Sequence, residues 1–189
     1  GLADFWVIKM DGNGNQLWEQ TYGSSEWDEA RSIVTASDGN FIVAGSNASL
    51  TGAGLADFWI LKLNSSNGNL LWDYSYGTSE SNKAFSVIED TMDGSCIAVG
   101  SSNIPLDQGG GSEADVVKLL SNGNLDWEQN YKNGLYNEAY AVTSVADGYV
   151  LAGFTKESDF DNGSVWVVKI PKDGDPTPLW EKIFEYDDI

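Results

Sequence analysis

Three residue types in this chain could do chemistry: lysines within apolar runs, regularly spaced tryptophans, and a large stock of carboxylates. Lys9, Lys62, Lys118 and Lys169 each sit in a β-branched stretch such as "FWVIKM" or "VWVVKI". A desolvated lysine there could serve as a Schiff-base nucleophile. Trp18, Trp72, Trp127 and Trp180 could stack against sugar rings. The 29 Asp and Glu could form an acid–base pair for glycoside hydrolysis, although so many acids make any single pair uninformative. The chain has no histidine, which excludes a Ser-His-Asp triad, a histidine base and a His-ligated zinc. Its one cysteine, Cys96, excludes an internal disulfide and reads as a buried, inert thiol within "GSCIAVG".

Repetition changes the weight of each candidate. Catalysis needs one lysine, and four equivalent copies instead predict structural ion pairs with an acid of the same unit, such as Asp28, Glu29 or Glu138. The tryptophans at 18, 72, 127 and 180 are spaced 54, 55 and 53 apart, which predicts packing between repeated units. Trp6, Trp59 and Trp166 share a second register, in which Asp115 takes the remaining place. A position that accepts both Trp and Asp is expected to be half exposed, so these three are candidate ligand-binding aromatics. Trp27 has no counterpart and is a candidate for a site unique to one unit. Oxygen-rich turns suggest calcium, with Asp159, Asp161 and Asn162 as the nearest ligand set and "DGNGN" from Asp11 as a second. Neither fits an EF-hand, and turn chemistry explains both. No other cofactor is implied.

The elements that must position these residues are short strands. Each unit has an apolar strand, a Gly/Asn turn and a strand carrying the tryptophan. A "YGSSEWDEA"-like loop then leads to two further strands joined at Asp38-Gly39, Asp93-Gly94 or Asp147-Gly148. Such Asp-Gly pairs between apolar runs predict hairpins, because the turn requires positive φ. Four antiparallel strands per unit predict an all-β fold of β-propeller-type blades, since one such sheet cannot bury both faces alone. A β-helix has shorter coils, and a sandwich requires no fixed period. Seven hairpins amount to about three and a half blades. The chain, 1–189, reads as one repeat domain with units at about 1–54, 55–113 and 114–163 and a partial unit at 164–189. It reads as a piece of a longer repeat protein, or as an open arc that closes by self-association. The insertion from Asn103 to Asp115 is the most divergent loop.

Gly14 to Trp18, Gly68 to Trp72 and Gly123 to Trp127 each span four residues. This strand–turn–Gly–Trp pattern resembles the tryptophan-docking motif of quinoprotein-type propellers. The resemblance implies that the hairpin with Gly and Trp forms the outer half of a blade and that the tryptophan docks on the next blade. The longer stretch "DFWVIKMDGNGNQLWEQTYGSS" through "SDGNFIVAGS" is similar to repeats of bacterial and archaeal cell-surface propeller proteins. It implies an extracellular or cell-surface location.

Ten basic against 29 acidic residues give a net charge of −19. That argues against nucleic acid and against anionic membranes. No apolar run approaches the roughly 18–20 residues that cross a bilayer, so no membrane insertion is expected. The function expected is a non-enzymatic binding or scaffold module for protein or glycan. A carboxylate glycosidase or lyase domain and a plain structural spacer are the alternatives. An open arc would leave bare blade faces, so self-association through those faces is expected.

Overall fold

The computed structural model describes residues 2–48, 55–77, 80–158 and 162–185. The chain runs through β1 (Phe5–Met10), β2 (Gln16–Tyr22), β3 (Asp28–Thr35), β4 (Phe41–Asn47), β5 (Asp57–Leu63), β6 (Leu70–Tyr76) and β7 (Asn82–Asp90). It continues through β8 (Ser95–Asn103), β9 (Ser112–Leu119), β10 (Leu125–Tyr131), β11 (Tyr136–Val145), β12 (Gly148–Lys156), β13 (Ser164–Ile170) and β14 (Trp180–Phe184). Every pairing between these strands is antiparallel and sequential. Strands β3–β6, β7–β10 and β11–β14 form three blade-like meanders, and β1–β2 form a half-sheet. The fold is all-β, three and a half blade-like sheets, none closed on itself. Each full sheet takes its first hairpin from one sequence unit and its second from the next.

The inner strands β4, β5, β8 and β9 are rich in apolar residues and buried on both faces, whereas β2, β6, β10 and β14 are mostly exposed or half-buried. Three apolar clusters fill the three spaces between sheets. Phe5, Val7, Val43, Trp59, Leu61 and Leu63 join the half-sheet to the first full sheet. Ile42, Phe58, Ile60, Val87, Val117 and Leu119 join the first to the second. Ile97, Val116, Tyr149, Leu151, Trp166 and Val168 join the second to the third. Strand β7 packs against β3, β4 and β5, and β11 against β7, β8 and β9. The first strands of successive sheets therefore lie side by side.

The Asp-Gly hairpins form in two ways. Gly39 (φ 79°) and Gly94 (φ 72°) take the expected left-handed conformation, and their aspartates cap the turn by accepting the N–H of Asn40 (3.0 Å) and Ser95 (2.9 Å). Gly148 is different. It opens β12 opposite Val145 without positive φ, and a Cβ there would lie 2.3 Å from the Ile170 carbonyl oxygen. Close approach, not turn geometry, requires that glycine. The Asn103–Asp115 insertion is also shorter than its sequence suggests. β8 extends to Asn103 and β9 starts at Ser112, leaving a loop with one 3-10 turn at Leu106–Gln108.

Each full sheet carries a β-bulge in its first strand at the same register. The pairing slips between Ala30 and Ser32, between Ala84 and Ser86, and between Ala139 and Ala141. Opposite each slip stands Gly45, Gly100 or Gly153. The recurring Ala and Gly positions in the sequence are thus two halves of one device, which re-aims the extra residue.

Candidate functional site

The extra residues of the three bulges are Arg31, Phe85 and Tyr140. Because β3, β7 and β11 are neighbours, the three side chains meet in a column. The Arg31 guanidinium carbon lies 5.2 Å from the Phe85 ring centre. The Phe85 and Tyr140 rings are 5.3 Å apart, tilted by 43°. Carboxylates flank both ends: Arg31 pairs with Glu29 at 2.6 Å, and the Tyr140 hydroxyl donates to Glu138 at 2.5 Å. Burial pushes the Tyr140 hydroxyl up to about 12, with the Glu138 hydrogen bond and charge adding to it, so it remains a donor at neutral pH. Tyr140 is half exposed and Arg31 is exposed. A cleft of about 270 Å³ opens beside Arg31 and Ile33, with Trp6 and Ile8 of the half-sheet on its other wall. This column pairs aromatic faces with charged hydrogen-bonding groups, a combination suited to polar ligands that carry apolar patches.

Position in the stack separates the sequence-picked aromatics. Trp59 (7% exposed) and Trp166 (1%) are buried between sheets, which corrects the half exposure expected from their register. Trp59 lies 4.8 Å from Phe5 of the preceding sheet, and its indole N–H donates to Asp73. Trp6, on the half-sheet, is exposed because no sheet precedes it among the described residues. The odd member, Asp115, is buried too, in a polar pocket with Ser102 and Asn130. Trp27 is exposed on the loop leading into β3.

Trp18, Trp72 and Trp127 hold each sheet to the next. Their indole N–H groups donate to the carbonyls of Ser65 (3.1 Å), Ser121 (3.2 Å) and Lys172 (3.1 Å), all in the following sheet's outer turn. Each ring lies where a Cβ on Gly68, Gly123 or Gly174 would stand. Trp180 occupies the same place on the last sheet and is exposed.

Three of the four lysines form ion pairs, and their partners differ from the expected ones. Lys62 pairs with Asp38 (2.7 Å), Lys118 with Asp93 (3.4 Å) and Asp126 (3.0 Å), and Lys169 with Asp147 (2.6 Å). The first partner in each case is the aspartate of the Asp-Gly turn, carried to the lysine by the β4–β5 type of pairing. Lys9 belongs to a sheet without that hairpin, and it donates to the Ser65 carbonyl at 2.6 Å. Asp28, an expected lysine partner, is buried and instead accepts the N–H of Ser24 (2.6 Å) and Ala48 (3.1 Å), pinning the loop before β3. Desolvation works against the Lys118 charge, but Asp126 and Asp93 outweigh it and raise the pKa above the ordinary lysine value.

One prediction follows from the asymmetry of the Lys62 pair. Lys62 is buried, whereas Asp38 is nearly half exposed. Lys62→Met keeps the packing and frees Asp38 to water, so its expected cost is under about 1 kcal/mol. Asp38→Asn strands a buried ammonium, and the expected cost is about 2–3 kcal/mol. Urea melts of the two variants at neutral pH check the order.

Of the calcium candidates, Asp159 and Asp161 lie outside the described residues, and Asn162 lies in an irregular stretch before β13. The carboxylate of Asp11 accepts the N–H of Asn13 (2.8 Å) and Asn15 (2.9 Å), which is turn closure. Among the described residues, no group of three or more Cys, Asp or Glu is placed to hold a metal. Cys96 is buried, and burial pushes its thiol up to about 12. No helix among the described residues is long and apolar enough to cross a membrane.

These features define an all-β protein of stacked, blade-like antiparallel sheets with a bulge-built surface on their first strands. No family model matches the chain, and no curated protein does. The crystal structure of a protein of unknown function from Bacteroides caccae aligns with 97% of this chain and 76% of its own, at 13% identity and a TM-score of 0.37.

Proposed function

We propose that the chain is a non-enzymatic binding and scaffold module of an exported or cell-surface protein, taking a glycan or protein ligand on the Arg31–Phe85–Tyr140 column. One observation carries this reading: three bulges at one register aim three different side chains into one contiguous surface. The other periodic residues serve the stack itself. The tryptophans dock sheets, the lysines pair with turn aspartates, and the glycines admit close backbones. At the bulge the residue type varies from sheet to sheet while the geometry does not, as expected of a surface that selects a ligand. The repeat pattern resembling cell-surface propellers supports the location, and Trp27 is a second proposed contact on the adjoining loop.

A glycan array probed with the parent chain and with Arg31→Ala/Tyr140→Ala tests the reading. The expected result is a ligand class retained by the parent and weakened at least tenfold in the double variant, which corresponds to about 1.4 kcal/mol or more. Equal binding by both would place the ligand elsewhere.

A further inference from the structure

One contact inside the stack departs from the repeat at three positions together. Six residues after the recurring alanine stand Ala36, Asp90 and Val145. Four residues before the recurring glycine stand Phe41, Cys96 and Tyr149. Three residues after the recurring lysine stand Ser65, Ser121 and Lys172. Where the first full sheet meets the second, the set is Ala36, Cys96 and Ser121, and Ala36 and Cys96 share an apolar cluster. Where the second meets the third, the same set reads Asp90, Tyr149 and Lys172. A small, inert contact is replaced there by a carboxylate, a phenol and an amine.

The three groups converge on one oxygen. Lys172 Nζ lies 2.7 Å from Asp90 Oδ2, and the Tyr149 hydroxyl donates to the same atom at 2.9 Å. The other oxygen, Asp90 Oδ1, accepts the Met92 N–H at 3.1 Å. Ser144 Oγ stands 3.4 Å from Lys172 Nζ. The Asp90 side chain is 3% exposed, and Tyr149 is fully buried with its ring centre 5.5 Å from Lys172 Nζ. Both backbones are held. The Asp90 carbonyl accepts the N–H groups of Asp93 and Gly94, and the Lys172 carbonyl accepts the Trp127 indole.

We propose that Lys172 and Asp90 join in an intramolecular isopeptide bond that ties the second sheet covalently to the third. Burial works against the Asp90 charge, but hydrogen bonds from Lys172, the Met92 N–H and Tyr149 hold its carboxyl below the ordinary value, so the resting pair is ionised. Reaction begins when the ammonium passes one proton to Oδ2, leaving a neutral amine beside a carboxylic acid. The amine lone pair attacks Cγ, and the Cγ–Nζ bond forms. Oδ1 takes up the negative charge and is held by the Met92 N–H, as backbone donors hold oxyanions. Nζ then gives a second proton to Oδ2, with Ser144 Oγ beside it as the relay. The Cγ–Oδ2 bond breaks, and Oδ2 leaves as water with the Tyr149 hydroxyl still bonded to it. Of the three ammonium protons, one stays on the amide and two leave in the water. Ammonium plus carboxylate thus give amide plus one water, with no oxidant or further reactant. Partners fixed in this way reach effective molarities of about 10⁵–10⁸ M, which favours an amide that free amines and carboxylates in water do not form.

The test is the intact mass of the denatured chain, which is expected to fall one water short of the sequence mass. Protease digestion is expected to release a branched peptide joining the segments that hold Asp90 and Lys172, 82 positions apart. Lys172→Arg keeps a cation for Asp90, but a guanidinium does not form this amide. That variant is expected to regain the full sequence mass and to keep a cooperative thermal melt. Tyr149→Phe restores the ring that Phe41 supplies in the first full sheet and removes the hydrogen bond to Oδ2. It is expected to yield a mixture of joined and unjoined chains.

A parent chain at its full sequence mass would overturn the proposal and leave an ordinary ion pair, whether or not the variants fold. A missing water that persists in Lys172→Arg would overturn it too, since a succinimide at an Asp-Gly turn loses the same mass. A Tyr149→Phe chain joined as completely as the parent would overturn the route through Oδ2. None of these residues belongs to the Arg31–Phe85–Tyr140 column, so failure of either proposal leaves the other standing.

Discussion

Gly100→Ala is expected to abolish cooperative folding, while Gly12→Ala leaves it intact. At Gly100 an added Cβ would lie 1.8 Å from the Lys83 carbonyl oxygen and 2.9 Å from the Ala84 Cα. Both obstacles are backbone atoms of the paired strand, fixed by the ladder on either side of the bulge at Phe85. No rotamer can relieve the clash. Relief requires β7 and β8 to separate at the centre of the middle sheet, which packs on both neighbours. The expected cost is over about 4 kcal/mol, the range reached by few single substitutions. Gly45 and Gly153 stand in the same relation to the Glu29 and Glu138 carbonyl oxygens, each at 1.9 Å, so their alanine variants should fail similarly. Gly12 has nothing within 4 Å and is the control. Thermal melts followed by circular dichroism check the contrast. A Gly100→Ala protein melting near the parent temperature would mean that the bulge does not hold the ladder in this register.

Asp115→Asn is expected to stabilise the protein at neutral and higher pH and to flatten part of its pH dependence. Asp115 is fully buried at the register where the other three sheets carry tryptophan. Burial pushes its carboxyl up to about 7, against hydrogen bonds from Ser102 (2.9 Å to Oδ1), Asn130 (2.5 Å to Oδ1) and Asn82. Nearby Glu113 pushes in the same direction as burial. The folded protein therefore holds a proton between about pH 4 and pH 7 that the unfolded chain has released. Over that window the group's contribution to stability falls as pH rises, and above about pH 7 the loss is complete. A shift of this size sets an upper limit of about 4 kcal/mol. Asparagine keeps the shape, and its Oδ1 accepts the Ser102 and Asn130 hydrogen bonds without charge. Parent and variant should match near pH 4 and diverge steadily toward pH 8 in urea melts. Asp38, Asp90, Asp93 and Asp147 have lowered pKa values and contribute in the opposite sense, but they are common to both proteins and cancel in the difference. Parallel pH profiles would show that Asp115 does not titrate in this window.

The pattern of periods in the sequence carried different kinds of information unequally. Spacing near 54 placed Trp18, Trp72 and Trp127 in packing, and they dock as equivalent residues should. It also paired Ala30, Ala84 and Ala139 with Gly45, Gly100 and Gly153 as recurring positions, but not as opposite sides of one bulge. Period alone does not say which residues face one another across a ladder. The lysine partners were missed for a related reason. Asp38 is 24 positions from Lys62 in the chain, and only the β4–β5 pairing brings the Asp-Gly turn beside the lysine's strand. Acids nearer in the unit, such as Asp28, looked equally good, and Asp28 is occupied by loop N–H groups.

Exposure was the least legible property. Trp6 and Trp59 share the preceding stretch Gly-Leu-Ala-Asp-Phe and differ in whether a sheet stands before them, while Trp166 follows Ser164-Val165 and is covered like Trp59. Asp115 at their register suggested solvent, whereas the polar residues Ser102 and Asn130 make a buried pocket for it. Nothing in the sequence singled out Arg31, Phe85 and Tyr140, because their types differ. Their signal was positional: each directly follows the recurring alanine.

By itself, then, the sequence determined the local chemistry. Short runs of β-branched and aromatic residues required strands, and Gly and Asp at fixed offsets required turns. A net charge of −19 argued against polyanionic partners, and the absence of histidine ruled out histidine-based mechanisms within this chain. These depend on residue type and short-range geometry, which a linear pattern records. The tertiary structure decided which equivalent residues are buried, which carboxylate neutralises which lysine, and which three side chains share a surface. Those depend on strand register and on each sheet's place in the stack, and identical local sequences acquire different surroundings there.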